Sequence, residues 1–202
     1  MFSQRFKELD AVVANCAYTS RQKIFSELEA LQMAVHLIQN AASNNGIVYV
    51  IGNGGSAGIA SHFSNDLMKA LKIPSQTLYD SNLLTCLAND LGYENIFSYP
   101  LHKLLRANDL LVAISSSGQS SNILKGAQTA LDMGIPLITL SGFLPQNPLS
   151  RMGELNFWID RSDYGLVETA HFFLLHSIID LWNQNTLQVL RHAQVRPSAA
   201  AK

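Results

Sequence analysis

The 202-residue chain has few of the residues that mark several large protein classes. Its only cysteines, Cys16 and Cys86, lie far apart and form no CxxC pattern, so neither a disulfide framework nor a cysteine zinc site is expected. The 14 basic and 15 acidic side chains nearly cancel and form no block of one sign, which argues against a nucleic-acid ligand. No apolar run approaches the roughly 20 residues that cross a bilayer, and no export signal is visible. We therefore expect a cytoplasmic protein with reduced thiols.

The chain does contain what one globular domain needs. Hydrophobic residues make up 48% of it, and its length is sufficient for one well-buried core. We expect a single domain over residues 1–192 and a disordered tail over residues 193–202, where the sequence ends in VRPSAAAK.

The hydrophobic periodicity changes after residue 43. Before it, apolar residues recur every three or four positions, which predicts one or two long amphipathic helices over residues 2–43. Continuous apolar runs then predict strands that are covered on both faces, at 47–51, 110–114, 136–140 and 155–159. Helices are predicted between and after these strands, at 57–71, 81–91, 121–133 and 167–190. The alternation predicts an α/β fold with a doubly wound parallel sheet flanked by helices.

Two of the predicted strands lead into loops of glycine and serine that run directly into helices. The first loop reads GNGGS at residues 52–56, and the second reads SSSGQS at residues 115–120. Such loops present backbone N–H groups and hydroxyls to an anion, and both fall where doubly wound sheets bind ligands. The pair therefore predicts a phosphate held from two sides, although helix-capping turns are the alternative for either loop alone. Neither loop has the GxGxxG or P-loop pattern, which disfavours nucleotides.

Residue types that bind metals recur on two predicted helices. His62 and Asp66 are four apart and share one helix face, where a surface ion pair is the alternative reading. Glu168 and His171 are three apart on the last helix, a spacing found in carboxylate-histidine metal motifs. His176 lies about 12 Å along the axis from Glu168, too far for both to ligate one ion. We expect Glu168 and His176 to reach a site from different subunits, or one of them to serve elsewhere.

Four segments resemble the sugar isomerase (SIS) domain family, and within it the sedoheptulose-7-phosphate isomerases, also called phosphoheptose isomerases: GNGGSAGIASHFSNDL, LANDLGYENIF, AISSSGQSSNILK and VETAHFFLLH. The resemblance extends to about Trp182. It implies a flavodoxin-like, three-layer fold with an N-terminal helical extension. It also implies conversion of sedoheptulose 7-phosphate to D-glycero-D-manno-heptose 7-phosphate for lipopolysaccharide synthesis, one Zn²⁺ per active site, and a homotetramer with active sites at subunit interfaces. The alternatives are an isomerase of another ketose phosphate and a non-catalytic SIS protein that binds a phosphosugar or associates with the bacterial replication initiator.

The resemblance further implies a role for each matching residue. Asp66 matches the catalytic base, and His176 matches the catalytic acid. The implied metal ligands are His62, Asp66, Glu168 and His176. The implied substrate-binding residues are Asn53, Gly54, Gly55, Ser56, Asp90, Ser115, Ser116, Ser117, Ser120 and Glu168.

Three positions depart from the family pattern. Asp66 stands in place of a glutamate, and a carboxylate misplaced by about 1 Å costs up to ~100-fold in rate. Glu168 stands in place of a glutamine and adds a negative charge. Ala70 stands in place of an arginine. These departures predict a site of the family type with altered electrostatics.

Overall fold

The structure, a computed structural model, describes residues 1–21 and 23–194, of which residues 184–194 are described by their backbone alone. The strands are β1 (Ala17–Thr19), β2 (Ile24–Phe25), β3 (Val48–Ile51), β4 (Ser75–Gln76), β5 (Leu110–Ser115), β6 (Leu137–Gly142) and β7 (Leu155–Ile159). The helices are α1 (Phe2–Ala14), α2 (Glu27–Ser43), α3 (Gly54–Lys69), α4 (Ser81–Leu91), α5 (Ser98–Leu104), α6 (Ser121–Asp132) and α7 (Tyr164–Gln194).

All seven of these strands belong to one sheet, in the order β2-β1-β7-β6-β5-β3-β4. Strands β3 to β7 pair in parallel, whereas β1 runs antiparallel to β7 and to β2. Numbered along the chain, the parallel strands lie in the order 2-1-3-4-5, which is the flavodoxin-like order. The order reverses between β3 and β5, where ligands bind in such sheets. The predicted doubly wound α/β fold is confirmed.

The predicted elements are confirmed with boundaries that differ by at most four residues. The four continuous apolar runs form β3, β5, β6 and β7, in which all residues but Trp158 are buried. Sequence reasoning missed α5, β4 and the hairpin of β1 and β2, which separates the two N-terminal helices. These strands have only two or three residues, too few for a periodic signal, and pairing with a longer neighbour stabilises them.

Helices cover both faces of the sheet. One core packs α1, α2, α3 and α7 against the sheet around Ile38 and Phe157. The other packs α4, α5 and α6 against β3, β5 and β6 around Phe97 and Leu101. These four side chains are at most 1% exposed. Burying a side chain of this size contributes about 1.5 to 3 kcal/mol, and the two cores together fix the ends of β3 and β5.

Both cysteines are free, with Cys16 buried and Cys86 exposed. Among the described helices, none combines the length and the apolarity that a membrane crossing requires. Helix α7 continues to Gln194, and the rest of the predicted tail, residues 195–202, lies outside the described residues.

Candidate active site

The two glycine- and serine-rich loops meet at the carboxyl ends of β3 and β5. Between them lies a hollow of about 220 Å³, which we call the serine pocket, lined by Asn53, Gly54, Gly55, Ser56, Ser115, Ser116, Ser117, Ser120, Tyr164 and Glu168. Every member of this lining except Tyr164 is a predicted substrate-binding residue. The loops therefore share one hollow at the switch point of the sheet.

The helices that follow these loops begin without a side-chain cap. Neither Asn53, the N-cap of α3, nor Ser120, the N-cap of α6, hydrogen bonds with its side chain to the first helical turn. By contrast, Ser26 caps α2 within a capping box and Asp80 caps α4. The alternative reading of the second loop as a turn in which Ser120 caps the next helix is therefore wrong. In α6 the Ile123 N–H donates to Asn122 Oδ1 at 3.0 Å; first-turn N–H groups that have no such partner attract anions.

The side chain of Asn53 instead ties the two loops together. Its amide forms a reciprocal pair with the amide of the buried Asn122, with N-to-O distances of 2.9 and 2.8 Å. The Tyr79 hydroxyl donates to the Gly52 carbonyl at 3.0 Å, and burial raises the pKa of this phenol, so it stays protonated. These bonds hold the first loop in place before any ligand arrives.

In the second loop, one serine hydroxyl has no hydrogen-bond partner and two others bond to each other. Ser116 Oγ is buried and has no hydrogen-bond partner among the described residues, an arrangement that costs about 1 to 3 kcal/mol. Ser115 Oγ and Ser120 Oγ lie 3.1 Å apart in a hydrogen bond. Gly118 has φ of +64°, and a Cβ there would overlap the Asn147 side chain. The loop conformation therefore requires glycine and turns hydroxyls into the pocket.

Three metal-ligating side chains form a second group, which we call the His/Asp cluster: His62, Asp66 and His176. Their ligand atoms all lie within 4.8 Å of one another. Asp66 Oδ2 lies 3.3 Å from His62 Nε2 and 3.4 Å from His176 Nδ1. Asp66 Oδ1 forms no hydrogen bond within the described part of the chain, and the Asp66 side chain is 24% exposed. Two imidazoles and one carboxylate are a donor set suited to zinc.

Phe172 packs against both imidazoles of the cluster. Its ring lies edge-on to His62 at a centroid distance of 5.0 Å and to His176 at 4.6 Å. Edge-to-face contacts of this kind fix ring orientation. Sequence reasoning missed Phe172, because an aromatic residue on a helix is no signal beyond core packing.

Glu168 and Asp90 do not join the His/Asp cluster. Glu168 lines the serine pocket and also a neighbouring hollow of about 390 Å³ that includes His62, Phe172 and Gly55. Glu168 thus lies between the serine pocket and the cluster, and its predicted role as a metal ligand remains a prediction. Asp90 is exposed on α4 and accepts a hydrogen bond from Asn89 at 2.8 Å; it does not line the serine pocket.

Gly55 allows the Glu168 carboxylate to approach α3. A Cβ at Gly55 would overlap that carboxylate, whereas a Cβ at Gly58, one turn further along α3, meets no atom within 4 Å. We expect Gly55→Ala to displace Glu168 and lower kcat/KM by roughly 10- to 100-fold. Gly58→Ala is the matched control, because it adds a methyl group to the same hollow beside His62 without touching Glu168, and it should stabilise the helix by about 0.5 to 1 kcal/mol. Enzyme kinetics and thermal unfolding of both variants test this, and equal kinetics would contradict it.

The three-residue spacing of Glu168 and His171 predicts a shared metal site. The structure shows that this prediction is wrong, because His171 lies in the core. Its ring is fully buried, and Nε2 lies 3.0 Å from the Ser141 carbonyl. Because a carbonyl only accepts hydrogen bonds, Nε2 carries the proton, while Nδ1 has no partner among the described residues. Burial lowers the pKa of His171 to about 4. The residue anchors α7 to the end of β6 as a neutral imidazole.

The low pKa of His171 predicts acid sensitivity of the fold. Below pH 6.5 the unfolded chain binds a proton at His171, whereas the folded chain binds it only below about pH 4. The free energy of unfolding therefore falls as the pH falls through this window. Between pH 7 and pH 4.5 we expect a loss of roughly 2 to 3 kcal/mol in the free energy of unfolding. Urea unfolding at pH 7 and pH 4.5, with chelator present, measures it. His171→Gln should lose much of this dependence and exposed His36→Gln should keep it; a pH dependence unchanged in His171→Gln would overturn the assignment.

Comparison with known proteins agrees with this geometry. The SIS domain family model matches residues 14–142. The phosphoheptose isomerase of Campylobacter concisus is 34% identical over 169 residues, which cover 79% of this chain and 89% of that protein. The structure of phosphoheptose isomerase from Neisseria gonorrhoeae matches with a TM-score of 0.77 at 26% identity, over 89% of this chain and 96% of that one. The phosphoheptose isomerase from Francisella tularensis matches with a TM-score of 0.78 at 25% identity, over 91% and 96%. The chain therefore belongs to the SIS domain family and, within it, to the phosphoheptose isomerases.

Proposed function

We propose that this protein is a ketose-aldose isomerase that converts sedoheptulose 7-phosphate to D-glycero-D-manno-heptose 7-phosphate. One observation carries the proposal: the serine pocket and the hollow beside the His/Asp cluster adjoin each other and share Gly55 and Glu168. A sugar phosphate that places its phosphate in the first can place its carbonyl end at the second.

The serine pocket suits a phosphate for three reasons. Two uncapped helix N-termini flank it, and their partial positive charge favours an anion. Hydroxyls from Ser115, Ser116 and Ser117 line it and donate to phosphate oxygens. The unpartnered Ser116 hydroxyl gains the hydrogen bond that it otherwise lacks. Binding energy from this end of the substrate orients the reacting carbons.

The reaction moves one proton between adjacent carbons and another between their oxygens. Asp66 Oδ1 takes the proton from C1 of the ketose and returns it to C2, while His176 donates a proton to the C2 oxygen and recovers one from the C1 oxygen. Atoms balance, because each group regains its starting state. Phe172 holds the acid in place through its contact with the His176 ring.

His62, Asp66 and His176 are the residues that would hold zinc, since their ligand atoms converge. The converging atoms are His62 Nε2, Asp66 Oδ2 and His176 Nδ1, which leaves Asp66 Oδ1 and His176 Nε2 for proton transfer. When bound, zinc would polarise the substrate oxygens and stabilise the negative charge that develops on them. Glu168 would contact sugar hydroxyls from its position between the serine pocket and the cluster.

We further propose that the protein is a cytoplasmic homotetramer with active sites at subunit interfaces. Phe6 of α1 and Phe173 of α7 are exposed and line one hollow together with Leu9 and Val13, and a contiguous exposed apolar surface marks an interaction site. The cluster is open on one side, with the His62 side chain 48% exposed, so a neighbouring chain can complete it. Light scattering of the purified protein measures the assembly, and a monomeric mass would contradict this part of the proposal.

Activity is tested by incubating the zinc-loaded protein with sedoheptulose 7-phosphate and following the aldoheptose phosphate by NMR. Turnover supports the isomerase. Binding without turnover would instead favour the non-catalytic phosphosugar-binding SIS protein, and turnover of another ketose phosphate alone would reassign the substrate. Serine-to-alanine variants of the second loop should raise KM more than they lower kcat.

A further inference from the structure

A third hollow, of about 470 Å³, lies where the hairpin of β1 and β2 joins β7. We call it the edge pocket; Trp158 and Asn156 of β7, Thr19 of β1, and Arg21, Ser150 and Arg151 line it. It shares no lining residue with the serine pocket. Its volume falls in the range of small-molecule sites, about 300 to 1,000 Å³.

The edge pocket exists because one face of the sheet is only partly covered. Leu155, Phe157 and Ile159 face the first core, so Asn156 and Trp158 point to the opposite face. The sheet residues of the second core come from β3, β5 and β6, which leaves the end of that face open beside β7 and β1. Register pairs Thr19 with Asn156 and Ala17 with Trp158. Asn156 is fully buried, so the accessible part of the floor comes from Trp158, Ala17 and Thr19, which are partly exposed.

Two arginines bring uncompensated positive charge to the pocket. Arg21 donates through Nε and Nη2 to the Met152 carbonyl, at 3.2 and 3.0 Å. Arg151 donates through Nη2 to the Gln146 side-chain carbonyl at 2.7 Å. Both partners are neutral, neither arginine has an ion pair within the described part of the chain, and no acidic side chain lines the hollow. The hydrogen bonds fix the guanidinium groups before any anion arrives.

We propose that the edge pocket binds a small phosphorylated molecule with a ring, such as a sugar phosphate, at a site separate from the active site. Arg21 and Arg151 bind the phosphate, because guanidinium groups match phosphate oxygens in pairs. The ring lies over the half-buried indole of Trp158, which supplies apolar contact area. Thr19 Oγ1 accepts a bond from Asn156 Nδ2 at 3.4 Å and keeps its own O–H for a ring substituent, whereas Ser150 Oγ donates to the Asn147 carbonyl at 2.7 Å and can accept from one.

Tryptophan fluorescence tests the site, because Trp158 and Trp182 are the two tryptophans of the sequence. The Trp182→Phe variant is titrated separately with glucose 6-phosphate, glucose and inorganic phosphate, while the fluorescence of Trp158 is recorded. We expect a saturable change with glucose 6-phosphate, at least tenfold weaker binding of inorganic phosphate, and none with glucose. If Trp182→Phe does not fold, ¹⁹F NMR of the fluorotryptophan-labelled natural sequence gives the same readout.

Matched variants separate this site from the active site. Arg21→Gln and Arg151→Gln should each weaken the Trp158 response at least tenfold. Lys7→Gln removes a positive charge from α1 and Ser117→Ala alters the serine pocket; both should leave the response unchanged. A response that Ser117→Ala abolishes, or that depends on protein concentration rather than on ligand, would overturn the proposal, as would no response. Isomerase activity is a separate measurement, so failure of either proposal leaves the other standing.

Discussion

Asp66→Asn is expected to lower kcat by about 10²- to 10⁴-fold, the range for loss of a general base. The amide keeps the size of the carboxylate and can accept hydrogen bonds from His62 and His176, which lie 3.3 and 3.4 Å from Oδ2. It cannot take a proton from carbon. Binding of sedoheptulose 7-phosphate, measured by calorimetry, should stay within a few-fold, because the serine pocket is untouched.

Asp66→Glu is the control for this variant. It restores the residue of the family pattern, keeps a base with one further methylene, and should retain turnover well above Asp66→Asn. Zinc content is measured in both variants to separate loss of the base from loss of the metal. Full activity in Asp66→Asn would show that another group removes the proton.

Zinc binding is expected to depend on the two histidines of the His/Asp cluster. The wild-type protein should bind one zinc per chain, and His62→Asn or His176→Asn should weaken binding at least 100-fold, since even partners behind a ligand contribute 10- to 100-fold. Removal of the metal with a chelator should lower isomerase activity, and added zinc should restore it. Metal analysis after dialysis and competition with a zinc-binding dye measure the affinity.

His36→Asn is the matched control for zinc binding, because His36 is an exposed histidine on α2 outside the cluster. It should bind zinc like the wild type. Unchanged affinity in both cluster variants would place the metal elsewhere or show that the protein binds none. Glu168→Gln is informative in the same assay: a role on the substrate side predicts zinc affinity within a few-fold of wild type.

The sheet and its loops could be predicted because their signals are local. A strand buried on both faces needs a continuous apolar run, and β3, β5, β6 and β7 each have one. In doubly wound sheets, the loops at the carboxyl ends of the strands meet where the strand order reverses. The serine pocket could therefore be predicted from the sequence. His62 and Asp66 were paired correctly, because four residues on a helix bring side chains onto one face.

The remaining features depend on contacts between distant segments. His176 joins His62 and Asp66 because α7 packs along α3, which no spacing within α7 reveals. The three-residue spacing of Glu168 and His171 predicts a shared site, yet His171 is buried in the core. The amide pair of Asn53 and Asn122 joins positions 69 residues apart. The hairpin β1–β2 forms because β7 offers an edge.

A crystal structure of Asp66→Asn with sedoheptulose 7-phosphate tests the central claim most directly. We predict the phosphate between the two uncapped helix N-termini, within hydrogen-bond distance of Ser116 Oγ, and the C1–C2 end of the sugar beside residue 66 and His176. A phosphate bound outside the serine pocket, or a sugar that extends away from the His/Asp cluster, would contradict the account.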